Sequence, residues 1–187
     1  LAIIRSSFMS PKVTWYDRMI NAYKLAMIGT MGYSVDTGMV DIISLLASPK
    51  YSHKHAGYLA FMVCYSTEPD AIALLTNTLQ IDLTNAKEEI VSEALNTVSL
   101  IVNAQIAEVL GPVVLKLAFG FENNSVRKKA FLTLKRLYAF YPALLSMDPD
   151  FMKKVESTLR SENDPAVQQA VCSLIKEVIL NEKKTGA

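Results

Sequence analysis

The sequence predicts an all-α fold of stacked antiparallel helix pairs, an α-solenoid. The first observation behind this prediction is a repeat, because four apolar helical stretches each carry a small residue near the middle. The steps between these small residues are 38, 36 and 40 residues. A period of about 40 residues is typical of HEAT and armadillo repeats, in which small side chains let neighbouring helices approach closely. The four residues are Ala56, Ala94, Ala130 and Ala170.

Composition is the second observation. Of the 187 residues, 51% are apolar, whereas glycine and proline number only seven each, which is too few for an all-β or disordered chain. No strand-like alternation of apolar and polar residues persists along the sequence. The net charge of +1 gives no overall field that would attract nucleic acid, so no nucleic-acid partner is expected.

Hydropathy indicates how the chain uses its apolar residues. The mean hydropathy of +0.23 is high for a free soluble protein, yet no apolar run reaches the roughly 18 residues that cross a bilayer. We therefore expect apolar surfaces that meet neighbouring repeats or partner subunits. Because the sequence begins at Leu1 rather than Met, we also expect it to be a piece of a longer protein.

The first two helices are predicted from their boundaries. Apolar spacing indicates a helix over residues 17–31, and Gly32 ends it. Asp36 is predicted to cap the second helix, because its carboxylate can accept a hydrogen bond from a backbone N–H of the first turn. The Ser48-Pro49 pair stops this second helix.

The third and fourth helices follow the same signals. Ser52 is predicted to open the third helix, which carries Ala56 and several aromatic residues. Pro69 suits the first turn of the fourth helix, since proline lacks the N–H that would remain unpaired there. This helix is expected to run to about Asp82.

The second half of the sequence contains further helix starts. Asn85 begins a stretch close to a capping box, and Asn124 is predicted to cap a later helix. The apolar stretch 106–121 contains Pro112, which either kinks one helix or lies in the first turn of a new one. Two Asp-Pro pairs mark the starts of the last helices, namely Asp148-Pro149 and Asp164-Pro165.

Residues capable of catalysis or metal binding are sparse. His53 and His55 are the only histidines, and residues two apart on a helix point to different sides. Neither has cysteines or carboxylates placed to complete a zinc site, so a surface or groove role is expected for both. The sequence has no Ser-His-Asp arrangement, Gly-rich phosphate loop or HExxH motif. We therefore predict no catalytic residues, no metal ligands, no cofactor and no enzyme activity.

The two cysteines are expected to be structural. Cys64 and Cys172 lie among apolar residues more than 100 positions apart, and neither belongs to a CxxC pair. They predict reduced core thiols in a cytosolic protein.

The densest charge lies on the helix that Asn124 is predicted to cap. Residues seven apart nearly superimpose on a helix, so Lys128 lies over Lys135, and Lys129 lies over Arg136. This pattern is typical of the solvated side of an amphipathic helix. It also suits contact with a lipid phosphate or an acidic partner. The cluster comprises Arg127, Lys128, Lys129, Lys135 and Arg136.

Several stretches resemble the adaptins, the large subunits of heterotetrameric clathrin adaptor complexes. Residues 31–38 resemble the family's loop between its early helices. Residues 48–59 resemble the signature Ser-x-Lys-Tyr-x-x-Lys-x-x-Gly-Tyr-Leu, and residues 77–83 resemble a third signature in which Asn, Asp and Leu recur. Residues 4–8 and 126–130 are similar to the gamma-type subunit, although epsilon-type, delta-type and coatomer large subunits share much of the pattern.

This resemblance implies a place in the cell and a set of partners. Residues 1–187 would form one segment of an amino-terminal adaptin trunk, a non-catalytic scaffold for membrane recruitment, cargo selection and clathrin coat assembly. Its implied partners are the beta-type large, medium and small subunits, an Arf-type small GTPase, and clathrin with its accessory proteins through hinge and appendage regions. The implied location is cytoplasmic, peripheral on trans-Golgi, endosomal or coated-vesicle membranes. The alternative is another HEAT-repeat scaffold, such as a nuclear transport receptor or a phosphatase scaffold.

The resemblance also implies two sites. Val40 and Ile43 match apolar positions that dock a GTP-bound Arf protein in gamma-type and beta-type adaptins, although both could instead pack onto the first or third helix. Residues 17–24 match a stretch that binds phosphoinositide through lysines in the alpha-type subunit. Only Arg18 and Lys24 keep the charge here, which favours an adaptor of internal membranes.

Replacement of a repeat alanine tests the predicted stacking. We expect Ala130→Leu to destabilise the protein by about 1–3 kcal/mol, because a larger side chain overpacks the contact between neighbouring helices. Chemical denaturation followed by circular dichroism measures this change. If leucine at Ala94, at Ala130 and at Ala170 each left stability unchanged, as at a surface position, the predicted positions of the repeats would be wrong.

Overall fold

A computed structural model describes residues 1–185, including every side chain except those of Met147 and residues 182–185. The described residues form α-helices and one short 3-10 helix, with no strand among them, which confirms the predicted fold class. Helix α1 spans Ala2–Phe8, α2 spans Trp15–Thr30, α3 spans Met39–Ala47, α4 spans Tyr51–Cys64 and α5 spans Pro69–Leu83. Helix α6 spans Glu88–Leu100, α7 spans Ala104–Gly120, α8 spans Asn124–Phe140, the 3-10 helix spans Pro142–Met147, α9 spans Phe151–Ser161 and α10 spans Pro165–Thr185.

The chain divides into two compact units, residues 1–82 and residues 83–187. In the first unit, α4 is the central helix and packs against both α2 and α3. The side chains that fill this core are fully buried and include Leu25, Ile42, Leu46, Tyr58 and Phe61. That the two units act as one domain stays a prediction.

Capping interactions fix where α2 begins and ends. The hydroxyl of Thr14 accepts a hydrogen bond from the backbone N–H of Asp17, and the carboxylate of Asp17 accepts one from the N–H of Thr14, each at 3.1 Å. This reciprocal pair is a capping box. The Thr14 hydroxyl also donates a hydrogen bond to the Asp17 carboxylate at 2.7 Å, and this bond, together with the one from the Thr14 N–H, lowers the pKa of Asp17. The helix ends before Gly32, whose φ of 86° is favourable only for glycine, as the sequence predicted.

The predicted cap of α3 is wrong. The helix begins at Met39, after Gly38 with a φ of 95°, and Asp36 instead accepts a hydrogen bond from the Arg5 guanidinium at 3.0 Å. A Cβ atom at residue 38 would lie 2.8 Å from side-chain atoms of Leu25 and Phe8, so only glycine fits there without displacement. The short helix α1, which sequence periodicity did not reveal, therefore closes over the start of α3.

The second unit is organised around α8, which packs against α6, α7 and α10. Helices α6, α8 and α10 each contribute one repeat alanine, and Ala94, Ala130 and Ala170 are all buried, as predicted. The Thr133 hydroxyl on α8 donates a hydrogen bond to the backbone oxygen of Lys129 in the same helix at 2.9 Å, and it also lies 3.3 Å from the backbone oxygen of Leu95 on α6, which shows how closely the two helices approach.

Pro112 lies inside α7. Residues 106–121, for which the sequence allowed either one helix or a new helix at Pro112, therefore belong to one continuous helix up to Gly120. Three aromatic rings join the helices around α7. The ring of Phe119 meets the edges of Phe131 on α8 and Phe151 on α9, with ring centroids 5.2 and 5.9 Å apart. Such edge-to-face pairs add stability beyond the apolar area that they bury.

Three predicted helix starts in this unit need correction. Asn85 accepts a hydrogen bond from the N–H of Lys87, and α6 begins only at Glu88. Asn123, rather than Asn124, caps α8. Asp148 accepts a hydrogen bond from the N–H of Asp150, and α9 begins beyond the Asp148-Pro149 pair, at Phe151.

The last predicted helix start is confirmed. Helix α10 begins at Pro165, and the Asp164 carboxylate accepts hydrogen bonds from the N–H groups of Ala166 and Val167 at 2.8 and 3.3 Å. These bonds lower the pKa of Asp164.

A glycine pair tests the close packing of α3 on α4. A Cβ atom at residue 57 would lie 2.9 Å from Leu46 Cγ and 3.2 Å from the backbone oxygen of Ile42, whereas a Cβ atom at residue 120 would meet nothing within 4 Å. We expect Gly57→Ala to destabilise the protein by about 1–3 kcal/mol, because the two helices must move apart. Gly120→Ala serves as the control and should be neutral or stabilising. Denaturation midpoints measure both changes, and equal effects would contradict this description of the α3–α4 contact.

Candidate functional site

A buried ionic triad lies in the first unit. The Lys54 ammonium donates hydrogen bonds to both carboxylate oxygens of Asp82, each at 2.8 Å, and the Tyr58 hydroxyl donates to Asp82 Oδ2 at 2.7 Å. The Lys54 side chain is 7% exposed and that of Asp82 is 1% exposed. The ammonium also donates to the backbone oxygen of Leu46, which lies in the last turn of α3.

The three residues of the triad come from two of the sequence stretches that resemble the adaptins. Lys54 and Tyr58 come from the signature at 48–59, and Asp82 comes from the stretch 77–83. A lysine ammonium has three N–H donors, and here all three are used. Because these polar groups are satisfied by one another, the triad has the properties of a structural link between α3, α4 and α5.

His53 occupies a different environment from the one predicted. It is buried rather than on the surface, its Nδ1 lies 2.9 Å from the Ser48 hydroxyl, and its ring stacks on Trp15 at a centroid distance of 5.5 Å. His55 is half-buried and stacks on Tyr51. Within the described part of the chain, no group of three or more histidine, cysteine, aspartate or glutamate residues could hold a metal ion.

The two cysteines are free, but only one is sheltered. Burial raises the pKa of the Cys64 thiol to about 11, which keeps it protonated and unreactive near neutral pH. Cys172 on α10 is exposed, so the prediction that both are core thiols is wrong for this residue.

The two cations proposed for phosphoinositide contact lie apart on α2. The Arg18 guanidinium lies 5.6 Å from the centre of the Trp15 ring and 3.4 Å from the Asp41 carboxylate on α3. Burial raises the pKa of Asp41, and the charge of Arg18 opposes that effect. Lys24 is exposed six residues further along the helix, which places it on a different side from Arg18. These two side chains do not form one converging site.

The predicted GTPase-binding residues lie on an accessible part of α3. Val40 is 72% exposed and Ile43 is half-buried, whereas Ile42 between them is fully buried. The residues next to Val40 line a groove of about 340 Å³, with Phe8 and Met9 of the α1 segment on its other side. The gamma-type resemblance of residues 4–8 does not predict that this segment borders the groove.

The loop that leads to this groove is held from two directions. Arg5 bonds to Asp36, and the Tyr65 hydroxyl donates a hydrogen bond to the backbone oxygen of Thr37 at 2.6 Å. Burial is the main cause that raises the pKa of Tyr65, so its hydroxyl stays protonated and remains a donor. Two tertiary hydrogen bonds thus hold the chain at Asp36 and Thr37, which line the groove.

Some members of the basic cluster on α8 have partners among the described residues, and others have none there. Arg127 forms an ion pair with Glu162 at 2.6 Å, and Lys135 donates a hydrogen bond to Ser173 on α10 at 3.0 Å. Lys128 and Arg136 are exposed, and Lys129 is half-buried. Neighbouring helices thus occupy part of the cluster and leave the rest open to solvent.

Taken with the repeated helix stacking, these features define a helical-repeat protein of the α-solenoid class whose candidate sites lie on helix faces. Residues 3–186 match the family described as the Adaptin N terminal region. The chain belongs to this family.

Named relatives come from three adaptor complexes. The chain is 30% identical over 185 residues to the AP-2 complex subunit alpha of Schizosaccharomyces pombe, covering 98% of this chain and 21% of that protein. It is 31% identical over 148 residues to the AP-1 complex subunit gamma-1 of Arabidopsis thaliana, covering 79% and 16%. It is 29% identical over 161 residues to the AP-3 complex subunit delta-1 of Bos taurus, covering 86% and 13%. The chain thus spans about a fifth or less of the length of these relatives.

The fold has a counterpart in a full adaptor complex. The chain is similar to a homology model of the full-length AP-3 complex in an intermediate open conformation, with a TM-score of 0.73 and 25% identity. That match covers 91% of this chain and 29% of the other. Across the described residues, no helix has the length and apolar character needed to span a bilayer.

Removal of one member of the triad tests its structural role. We expect Lys54→Met to destabilise the protein by about 3–5 kcal/mol, because it leaves the Asp82 carboxylate buried without its counter-charge. The double variant Lys54→Met, Asp82→Leu should recover much of that loss. Urea denaturation measures both.

Arg160→Met supplies the control, because it breaks the exposed Arg160–Glu156 pair and should change stability little. A Lys54→Met protein as stable as the wild type would show that the triad does not hold this unit together.

Proposed function

We infer that this chain is the amino-terminal part of a large adaptin subunit and acts as a non-catalytic scaffold in a vesicle-coat adaptor complex. The observation that carries this proposal is the family match over residues 3–186, together with relatives named as subunits of AP complexes. The role would be to hold the other subunits, reach the membrane through them, select cargo and assemble a clathrin coat on trans-Golgi or endosomal membranes.

The arrangement of polar groups supports a scaffold. Lys54, Tyr58 and Asp82 satisfy one another in the interior, and His53 is bonded to Ser48 and stacked on Trp15. An acid–base or nucleophilic site needs such groups to face a substrate. Here the polar residues of the signature stabilise helix contacts, which leaves exposed helix faces as the means of interaction.

The gamma-type assignment is part of the same proposal. It rests on the stretches 4–8 and 126–130 and on the loss of the lysine run at 17–24. Arg18 is engaged with Asp41 and Trp15, which supports a weak phosphoinositide contact at this helix. Alpha-type and gamma-type relatives are 30% and 31% identical to the chain, so the choice depends on experiment.

Identification of bound subunits tests the scaffold role. The full-length protein, tagged and expressed at its natural level, would be purified gently, and its partners identified by mass spectrometry. We expect a beta-type large subunit, a medium subunit and a small subunit in equal amounts, and their types would assign the complex. Recovery of transport cargo or a phosphatase in their place would support the other HEAT-type scaffolds.

An Arf-type GTPase is the proposed partner of α3. Val40 offers an exposed apolar side chain beside a groove, and Ile43 lies one helical turn further on the same side. Apolar side chains on a fixed helix suit the switch surface of a small GTPase, which is ordered only in the GTP-bound state.

A double substitution tests this contact. We expect Val40→Asp, Ile43→Glu to weaken GTP-dependent binding of the Arf-type protein by more than about tenfold, a loss of ~1.4 kcal/mol, because two charges enter the apolar contact. Binding would be measured by surface plasmon resonance with the GTPase loaded with a non-hydrolysable GTP analogue or with GDP.

The control is Leu74→Asp, which places one charge on an exposed apolar position of α5 and should leave the affinity unchanged. Circular dichroism checks that each variant is folded. Unaltered GTP-dependent binding by a folded double variant would end the assignment of Val40 and Ile43.

A further inference from the structure

A groove lies between α8 and α10 in the second unit. It has a volume of about 240 Å³, and its floor is made by the small side chains of Ala166 and Ala170. Leu132 on α8 is 40% exposed at its wall. The groove therefore offers an apolar surface that is open to solvent on a face where both helices are otherwise polar.

Cations flank this apolar surface on the α8 side. Lys128, Leu132 and Arg136 are spaced four residues apart, so they form one stripe along the helix with the leucine in the middle. Lys128 and Arg136 are both exposed, and neither has an ion pair among the described residues. At 1.5 Å per residue, their positions are separated by about 12 Å along the axis.

Helix α10 supplies the opposite side of the groove. Gln169 and Ser173 line it. Lys176 lies one turn beyond Ser173, past the end of the groove, where it borders a neighbouring apolar surface with Ile175 and Ile179, and its exposed side chain has no ion pair in the described part of the chain. The Lys135 ammonium reaches across to the Ser173 hydroxyl, which adds a positive charge to the same face. This face is thus positive as well as partly apolar.

Acidic groups near the groove have other partners. The Glu162 carboxylate is paired with Arg127, and the Asp164 carboxylate accepts hydrogen bonds from the first turn of α10. The positive charge of Lys128 contributes to the lowered pKa of Asp164 without forming an ion pair with it. The cations of the face therefore keep most of their capacity to bind an external acid.

We propose that the α8–α10 groove binds an acidic peptide segment of a partner protein, with one apolar side chain seated beside Leu132 and carboxylates paired with Lys128, Arg136 and Lys176. A separation of about 12 Å between cations suits carboxylates spread along a peptide, since an extended chain advances about 3.4 Å per residue. A single phosphate needs cations that converge on one point, and it has no use for an apolar wall. The proposal does not depend on the assignment of Val40 and Ile43 or on the type of adaptor complex.

A titration with a synthetic probe tests the groove. The probe is a short fluorescein-labelled peptide with a central leucine flanked on both sides by glutamates, added to the 187-residue chain and followed by fluorescence anisotropy. We expect saturable binding that weakens as salt is added, because charge pairing contributes to it. A peptide with glutamine in place of every glutamate should not bind, and Leu132→Ser should weaken binding of the acidic probe.

Matched charge variants decide whether binding belongs to the groove. The triple variant Lys128→Gln, Arg136→Gln, Lys176→Gln should weaken binding by more than about tenfold. The control variant Lys12→Gln, Lys50→Gln, Lys87→Gln removes the same charge from other exposed positions and should bind as the wild type does.

Three results would overturn the proposal. One is no binding of the acidic probe, and another is equal weakening in both triple variants. The third is binding, dependent on the groove cations, to phosphatidylcholine vesicles containing phosphatidylinositol 4-phosphate but not to the peptide, which would identify a lipid phosphate as the ligand.

Discussion

The interaction on which the first unit depends is the buried ion pair between Lys54 and Asp82. The free energy needed to remove two charges from water exceeds the stabilisation that most single contacts provide. A buried ion pair is therefore tolerated only when every hydrogen-bonding group around it is satisfied. That condition fixes the last turn of α3 through the oxygen of Leu46, and it fixes α5 through the carboxylate of Asp82. With α3 and α5 both held by α4, the close approach at Gly57 follows. The family signature thus acts through packing, and the exposed face of α3 that carries Val40 is a consequence of it.

Features of the fold that follow from a repeated sequence pattern could be predicted well. Features that depend on a few residues at one helix end could be predicted less well. The spacing of the alanines at 94, 130 and 170 correctly predicted the packing of α6 and α10 against α8, because small side chains let neighbouring helices approach closely. Helix starts were less reliable. Asn85 and Asp148 each accept a hydrogen bond from the N–H two residues ahead, which forms an Asx-turn before the helix rather than a cap at its start. The same residue types satisfy both structures, so composition alone cannot separate them.

For the candidate sites too, the sequence identified stretches and residue types but not the tertiary contacts between them. The stretches containing Lys54, Tyr58 and Asp82 were recognised, but their pairing could not be predicted because it joins residues 24 and 28 positions apart through tertiary packing. A surface or groove role was predicted for His53, and its burial was not, since that burial depends on Trp15 of another helix. On α8, the sequence identified the cations. The pairing of Arg127 with Glu162 depends on where α9 ends, and the groove beside Leu132 depends on the packing of α10, so neither could be predicted. In this helical-repeat protein, the repeat period of the sequence predicts the fold. The candidate binding surfaces become visible only when the packing of the helices against one another is known.

Nitrogen-15 NMR of the protein with labelled lysine tests the buried ion pair directly, because it observes the Lys54 ammonium itself. Exposed lysine ammonium protons exchange rapidly with water, whereas an ammonium that donates all three protons inside the protein is shielded from it. We expect one slowly exchanging ammonium signal that disappears in Lys54→Met and moves in Tyr58→Phe. If every lysine ammonium of the folded protein exchanges at the rate of a free side chain, the buried ion pair does not exist and cannot be what holds α3, α4 and α5 together.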